Sequence, residues 1–286
     1  MDSLGNGLGF SLAGLVVGTA VGATGVGGGS LMTPILILFY GIAPSLAVGT
    51  DLLYASISKS FGVLLHGKNG SLDWAIVGWL SAGSVPAALL TLVLLDQIGS
   101  SAELDRLIKL TLSGAVIVTA LFTLFQELLA SRLRVDRVRG ELQPMTQRLL
   151  TIAAGVLIGA VVTISSVGAG VIGMMILLLL YPKHPPIRIV GSDLAHAVLI
   201  TAIAGAGHAR MGSVNYELLG WLLLGALPGI WIGSRLGFGM NPKTLKRAIA
   251  GILIVVGSMT LWKTLHVPPP VIAASQPPGQ VPTQPH

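Results

Sequence analysis

Apolar stretches of roughly 15 to 25 residues recur along the chain, at 75–95, 107–129, 214–232 and 248–262, the first three long enough to cross a hydrocarbon core about 30 Å thick and the last nearly so. A single soluble core has no use for so many. Charge agrees: 10% of the 286 residues are charged, against about 25% in a soluble domain, and 52% are hydrophobic. The reading is an all-α polytopic membrane protein, its partner the lipid bilayer. The 38 glycines suit it, because glycine lets membrane helices approach closely and permits breaks inside them. The net charge of +6 serves first to orient such a chain, so nucleic acid is not expected as a partner. The absence of cysteine excludes disulfides, thiolate metal sites and cysteine nucleophiles. No basic residue precedes Lys59, so the charged start of a cleavable signal peptide is missing and the first apolar stretch is expected to be retained.

The halves match at an offset of about 142 residues. Val48-Gly49-Thr50-Asp51-Leu52 faces Val190-Gly191-Ser192-Asp193-Leu194, and His66-Gly67-Lys68 faces His208-Ala209-Arg210. Gly78-Trp79 with Pro86 faces Gly220-Trp221 with Pro228. One residue earlier in register, Gly25-Val26-Gly27-Gly28-Gly29 matches Ser166-Val167-Gly168-Ala169-Gly170. The repeats are set at 8–129 and 149–265. Between them, 130–148 holds Arg132, Arg134, Arg137 and Arg139 and is expected to be a basic cytoplasmic loop. The Pro-rich segment 266–286 is expected to be a disordered tail.

The stretch 8–39 is too long for one span and is interrupted by a Gly-rich segment at 22–30, as its partner 149–181 is at 165–170. Either each is one kinked helix, giving eight spans, or each turns back on itself, giving five elements per repeat. Charge decides between them. Eight spans divide the basic residues evenly between the two sides. With hairpins, Lys68, Arg132, Arg134, Arg137, Arg139, Arg148, Lys183, Arg188, Arg235, Lys243, Lys246 and Arg247 fall inside, while Arg106, Lys109, Arg210 and Lys263 fall outside. That bias favours hairpins. The expected fold is therefore two inverted-topology repeats, each a broken or re-entrant helix hairpin plus three transmembrane helices, with 8 to 10 membrane segments in all. The expected location is the cell inner membrane. Short arms of about ten residues cover about 15 Å, so the breaks belong near the midplane. Matching breaks in inverted repeats point to a central binding site.

The break residues are the first candidates for that site: Thr24, Gly25, Gly27, Gly28, Gly29 and Ser30 in one copy, Ser165, Ser166, Gly168 and Gly170 in the other. Glycines expose backbone N–H groups, a half-helix points its positive end at the bend, and hydroxyls add neutral donors, a combination that suits an anion. The bland reading of the same glycines is tight helix packing. Thr50 with Asp51 and Ser192 with Asp193 come next. A carboxylate inside a membrane segment is costly, so Asp51 and Asp193 are candidates for proton coupling, with protons as the coupling ion; the alternative for these motifs is an N-cap or a bond to the hairpin. Lys59 lies deep in a span with Thr201 at its matching place, and either offsets an anion's charge or pairs with Asp51. His196 can titrate near neutral pH or simply pack. His66 and His208 are placed at the two membrane interfaces. There is no HExxH, no carboxylate pair at metal-ligand spacing and no GxSxG elbow. No enzyme activity, metal or cofactor is expected.

The break across 22–34, the Val48-to-Leu52 and Val190-to-Leu194 motifs and their repetition resemble the TauE/SafE family of membrane permeases. The resemblance covers about 8–265 and leaves out the tail. It implies a secondary transporter, in some relatives an exporter, of a small inorganic or organic sulfur anion such as sulfite, thiosulfate or a sulfonate. The second copy departs from the three-glycine run of the first, with Ser165-Ser166-Val167-Gly168-Ala169-Gly170 in its place. The expected mechanism is alternating access, one inverted repeat rocking against the other around a midplane site. An anion channel, a carrier of another small solute and a non-transporting membrane scaffold are the other readings, and oligomeric state stays open.

Overall fold

The computed structural model describes residues 3–24, 29–66, 72–99, 102–136, 143–236 and 242–266. They form ten helices in chain order, five in each repeat. The first repeat holds α1 (Ser3–Thr24), α2 (Gly29–Leu38), α3 (Pro44–His66), α4 (Trp74–Ile98) and α5 (Ala102–Asp136). The second holds α6 (Pro144–Ser165), α7 (Val171–Leu180), α8 (Pro186–Arg210), α9 (Tyr216–Leu236) and α10 (Pro242–His266). Four of the ten open on proline, which suits a first helical position because its missing N–H has no intrahelical partner there. Five described helices are long and apolar enough to cross a membrane: Trp74–Ile98, Ala102–Phe125, Pro144–Ser165, Ile187–Arg210 and Tyr216–Arg235. Shorter apolar helices accompany them at Gly7–Ala23, Val171–Leu180 and Ala250–His266. The expected loop at 130–148 is in part helix. α5 runs on to Asp136, because an arginine-rich stretch can continue a helix past the end of an apolar span, and α6 begins at Pro144. The segment 266–286 lies, beyond His266, outside the described residues.

Each broken stretch folds back on itself. Tyr40, just after α2, donates its hydroxyl to the Gly9 carbonyl at 2.7 Å and packs its ring against Phe10 near the start of α1. In the second copy Tyr181, just after α7, meets the Thr151 hydroxyl at 2.9 Å, and Gln147 donates to the Leu180 carbonyl. A kinked but continuous helix would hold these residues about 45 Å apart at 1.5 Å per residue. The arms α2 and α7 are ten residues each.

Related helices make related contacts. α1 packs on α9 of the other repeat as α6 packs on α4, while α3 crosses α8 and α5 crosses α10. Along the α1·α9 seam Gly14, Gly18 and Gly22 lie against the carbonyls of Leu222, Ala226 and Ile230. Gly225, Gly229 and Gly233 lie against those of Ser11, Leu15 and Thr19. Residue numbers climb together, so the helices are parallel, and any Cβ on this seam would strike backbone. Small residues are what allow membrane helices to close so far. The α4·α6 seam has Gly83, Gly155 and Gly159 in the same role. α3 and α8 run the opposite way past each other: Gly49 lies by His208 and Ser213, Leu53 by Gly205, and Ser56 donates to the Val198 carbonyl at 3.4 Å. Two equivalent helices thus cross antiparallel.

These contacts interlock the repeats. One apolar core joins α4 to α6, α7 and α8 through Leu80, Ile158, Leu177 and Ile200. The other joins α9 to α1, α2 and α3 through Leu222, Val17, Met32 and Tyr54. Each hairpin therefore shares its core with the fourth helix of the other copy. Side-chain clamps tighten the exchange. The N–H of Asn215, which precedes α9, donates to Thr50 at 3.0 Å, and the N–H of Asp73, the N-cap of α4, donates to Ser192 at 2.8 Å.

Candidate functional site

The second break is unwound backbone in the protein interior. Ser166 is the only non-glycine described residue with positive φ, at 60°, and Gly168 and Gly170 follow at 111° and 125°, values that glycine adopts without strain. The Ser165 hydroxyl secures the end of α6, donating to the Val161 carbonyl at 2.7 Å and accepting from the Val167 N–H at 3.3 Å. Ser166 next to it is buried and its hydroxyl has no partner. The amide end of α7 faces this loop, since Gly170 caps the helix without a side-chain bond.

α3 lays a polar stripe along the break. Asp51, Tyr54, Ser58 and Lys59 recur at helical spacing on one side and all are buried. Lys59 is 3% exposed and donates from Nζ to the Ala169 carbonyl at 2.7 Å, joining the middle of α3 to the break. Placing an ammonium so deep costs several kcal/mol unless charge and hydrogen bonds offset it, and the carboxylates of Asp193 and Asp51 both act on it. Asp51 accepts from the Thr33 hydroxyl of α2 at 2.5 Å; its second oxygen is buried and faces the Ser166 hydroxyl in a loose contact. Asp193 presses against Gly173 in the first turn of α7, where a Cβ would collide with its carboxylate. His196 meets the Ser84 hydroxyl through Nε2 at 2.8 Å. Its Nδ1 is unpartnered.

Ser166, Gly168, Gly170, Lys59, Asp51, Asp193 and His196 thus converge about the second break. Ser165 belongs to the same loop with its hydroxyl engaged in holding it. Thr50 and Ser192 stand apart: both hydroxyls are engaged in the inter-repeat clamps, and Ser192 also donates to the Arg188 carbonyl. The role is structural, but the partner is the start of the other copy's fourth helix and not the hairpin or an N-cap. Thr24, Gly29 and Ser30 are described as helix backbone only, and Gly25, Gly27 and Gly28 lie outside the described residues. His208 is buried, at 2% exposure, with Nε2 by the Thr163 carbonyl at 2.9 Å, because the start of α3 at Gly49 covers it. Tyr54 and Ser84 do not stand out in the sequence. Tyr54 shares a helical face with Asp51, a signal the spacing carries; Ser84 comes from another element and only the tertiary fold brings it in.

Apolar spans, paired hairpins and a polar centre buried between them define a multi-pass membrane transporter. The chain belongs to the TauE/SafE family: the family model described as sulfite exporter TauE/SafE matches residues 10–260. It is 39% identical over 248 residues to the probable membrane transporter protein YjnA of Bacillus subtilis, covering 86% of this chain and 96% of that relative. It is 28% identical over 253 residues to the probable membrane transporter protein YdhB of the same organism, covering 86% and 97% of the two chains. An archaeal relative, the probable membrane transporter protein MJ0441 of Methanocaldococcus jannaschii, is 25% identical over 269 residues, covering 87% and 93%. No solved structure matches the chain.

Proposed function

We propose that this chain exports a small sulfur-containing oxyanion, such as sulfite, thiosulfate or a sulfonate, across the inner membrane by alternating access around the buried break. The Lys59–Ala169 bond carries the reading, because it puts a buried cation against unwound backbone and the amide end of a half-helix. An oxyanion there replaces the Ala169 carbonyl as the partner of Lys59 and takes donors from Ser166 and the backbone of Gly168 and Gly170. Thr24, Gly25, Gly27, Gly28, Gly29 and Ser30 serve as the matching wall from the first copy. Thr50, Ser165 and Ser192 hold the walls in position. Sulfite comes first among substrates because the family description names its export.

Two carboxylates and one ammonium already sum to negative charge, so an arriving anion adds to a burden that low dielectric makes costly. Protonation of Asp51 or Asp193, with His196 alongside, offsets it and couples protons to transport. The antiparallel crossing of α3 and α8 supports inverted insertion of the repeats. The bias of basic residues that the hairpin topology gives, twelve on the side of the middle segment against four on the other, supports a cytoplasmic middle segment. The moving units follow the two mixed cores, α1, α2 and α9 against α4, α6, α7 and α8, with α3 between them, Ala47 and Tyr54 in one core and Val48 and Leu52 in the other. In proteoliposomes, sulfite flux should saturate with concentration and depend on pH, and Asp51→Asn or Asp193→Asn should flatten that dependence. An unaltered pH profile in both variants removes the proton-coupling role.

A further inference from the structure

Most buried polar atoms of this chain are hydrogen-bonded, and the exceptions are not scattered evenly. Among the described residues nine buried side-chain atoms lack a partner. Three belong to Ser81, Thr119 and His208. The other six belong to Asp51, Tyr54, Ser58, Ser166, Asp193 and His196, which form one group around Lys59. Tyr54 faces both Asp51 and Ser58, Asp51 faces Ser166 and Lys59, and Lys59 is in turn flanked by Asp193 and His196. Tyr54 with Ser58 and Asp51 with Ser166 are loose pairs short of well-formed hydrogen bonds, and Asp193 and His196 keep an unpartnered atom each. A poorly made buried hydrogen bond is costly, up to about 1–3 kcal/mol when unmade, so the cluster marks a place where a polar guest supplies better partners.

The repeat separates frame from guest site. At the positions matching Tyr54 and Ser58 the second copy has His196 and Ile200, so the repeated framework requires neither hydroxyl. Both are nevertheless buried on the face of α3 that carries Asp51 and Lys59, at 0% and 4% exposure. We propose that Tyr54 and Ser58 are substrate ligands that set specificity: side by side on α3 and opposite Ser166 of the break, they offer several neutral O–H donors, which fits the several oxygens of a sulfite-like oxyanion and not a single halide. Neutral donors add binding without adding the fixed charge that would hold the anion too tightly for release. The inference rests on the anion-transport reading above and names further residues of the same site.

The test is a thermal-shift titration of the full chain in detergent with sulfite, thiosulfate and chloride. The native protein should be stabilised saturably by sulfite or thiosulfate and not by chloride. Tyr54→Phe and Ser58→Ala should each raise the apparent Kd for sulfite roughly ten-fold and narrow the preference over chloride, while Ser81→Ala, which removes an unpartnered hydroxyl outside the group, should leave it unchanged. If Tyr54→Phe does not fold, Ser58→Ala decides. Native affinity in the folded variants overturns the assignment and leaves anion transport standing, with solvent satisfying the hydroxyls. A native chain that no anion stabilises overturns the transport reading and this inference with it.

Discussion

Asp51 and Asp193 hold the same place in the two repeats, each on the third helix and each against the short arm of its own hairpin. Their surroundings differ. Asp51 is bonded to Thr33, and Lys59 stands two turns along its own helix. Asp193 meets Gly173, with Met174 in the register of Thr33 and Thr201 in that of Lys59. Thr201 turns its hydroxyl back onto the Ala197 carbonyl at 2.7 Å and contributes nothing across the interface. The frame is duplicated, down to the Thr50 and Ser192 clamps, and the chemistry is not. In the proposed alternating-access cycle the duplicated frame would supply inward and outward positions, and the unduplicated cation one charge for them to share.

Erasing the difference should have the largest effect. Lys59→Thr writes the second copy's residue into the first and leaves two buried carboxylates without their counter-charge, a loss on the order of 3–5 kcal/mol for a buried ion group. Sulfite flux in vesicles should fall by about a hundred-fold or more, and native flux in this variant would mean that the asymmetry is idle. The seams give a second contrast. Gly22 closes on the Ile230 carbonyl, while the matching position on α6 is Thr163. Gly22→Thr should destabilise the chain by about 1–3 kcal/mol in mixed-micelle unfolding, since the added atoms meet backbone. Thr163→Gly should cost about 1 kcal/mol. The smallest effect separates two neighbours. Ser165→Ala should lower stability by about 1 kcal/mol with anion affinity intact. Ser166→Ala should do the reverse, weakening sulfite binding a few-fold with stability unchanged.

Much of this frame is written in the sequence, because lipid leaves the chain few options. Apolar length marks the spans, and the uneven placement of basic residues separates a hairpin from a kinked helix, an outcome seen in Tyr40 returning to Gly9. The aspartates and Lys59 stand out because charge is rare and costly in such segments. What escapes a linear reading is pairing between elements. Nothing in the motif around Thr50 says that its hydroxyl receives the Asn215 N–H, or that Lys59 seeks the Ala169 carbonyl rather than Asp51. The glycines of α1 and α9 carry a visible four-residue spacing, but only the fold tells which helix each faces. The interlocked cores are hidden for the same reason: repeat boundaries in sequence are not boundaries in packing.

Counterflow tests the central claim most directly. Vesicles holding the reconstituted chain and loaded with unlabelled sulfite, then diluted into a trace of labelled sulfite, should accumulate label transiently above equilibrium, because a carrier returns with whatever anion its site meets. Label that rises only to its equilibrium level, or enters no faster than in protein-free vesicles, would contradict an alternating-access sulfite carrier.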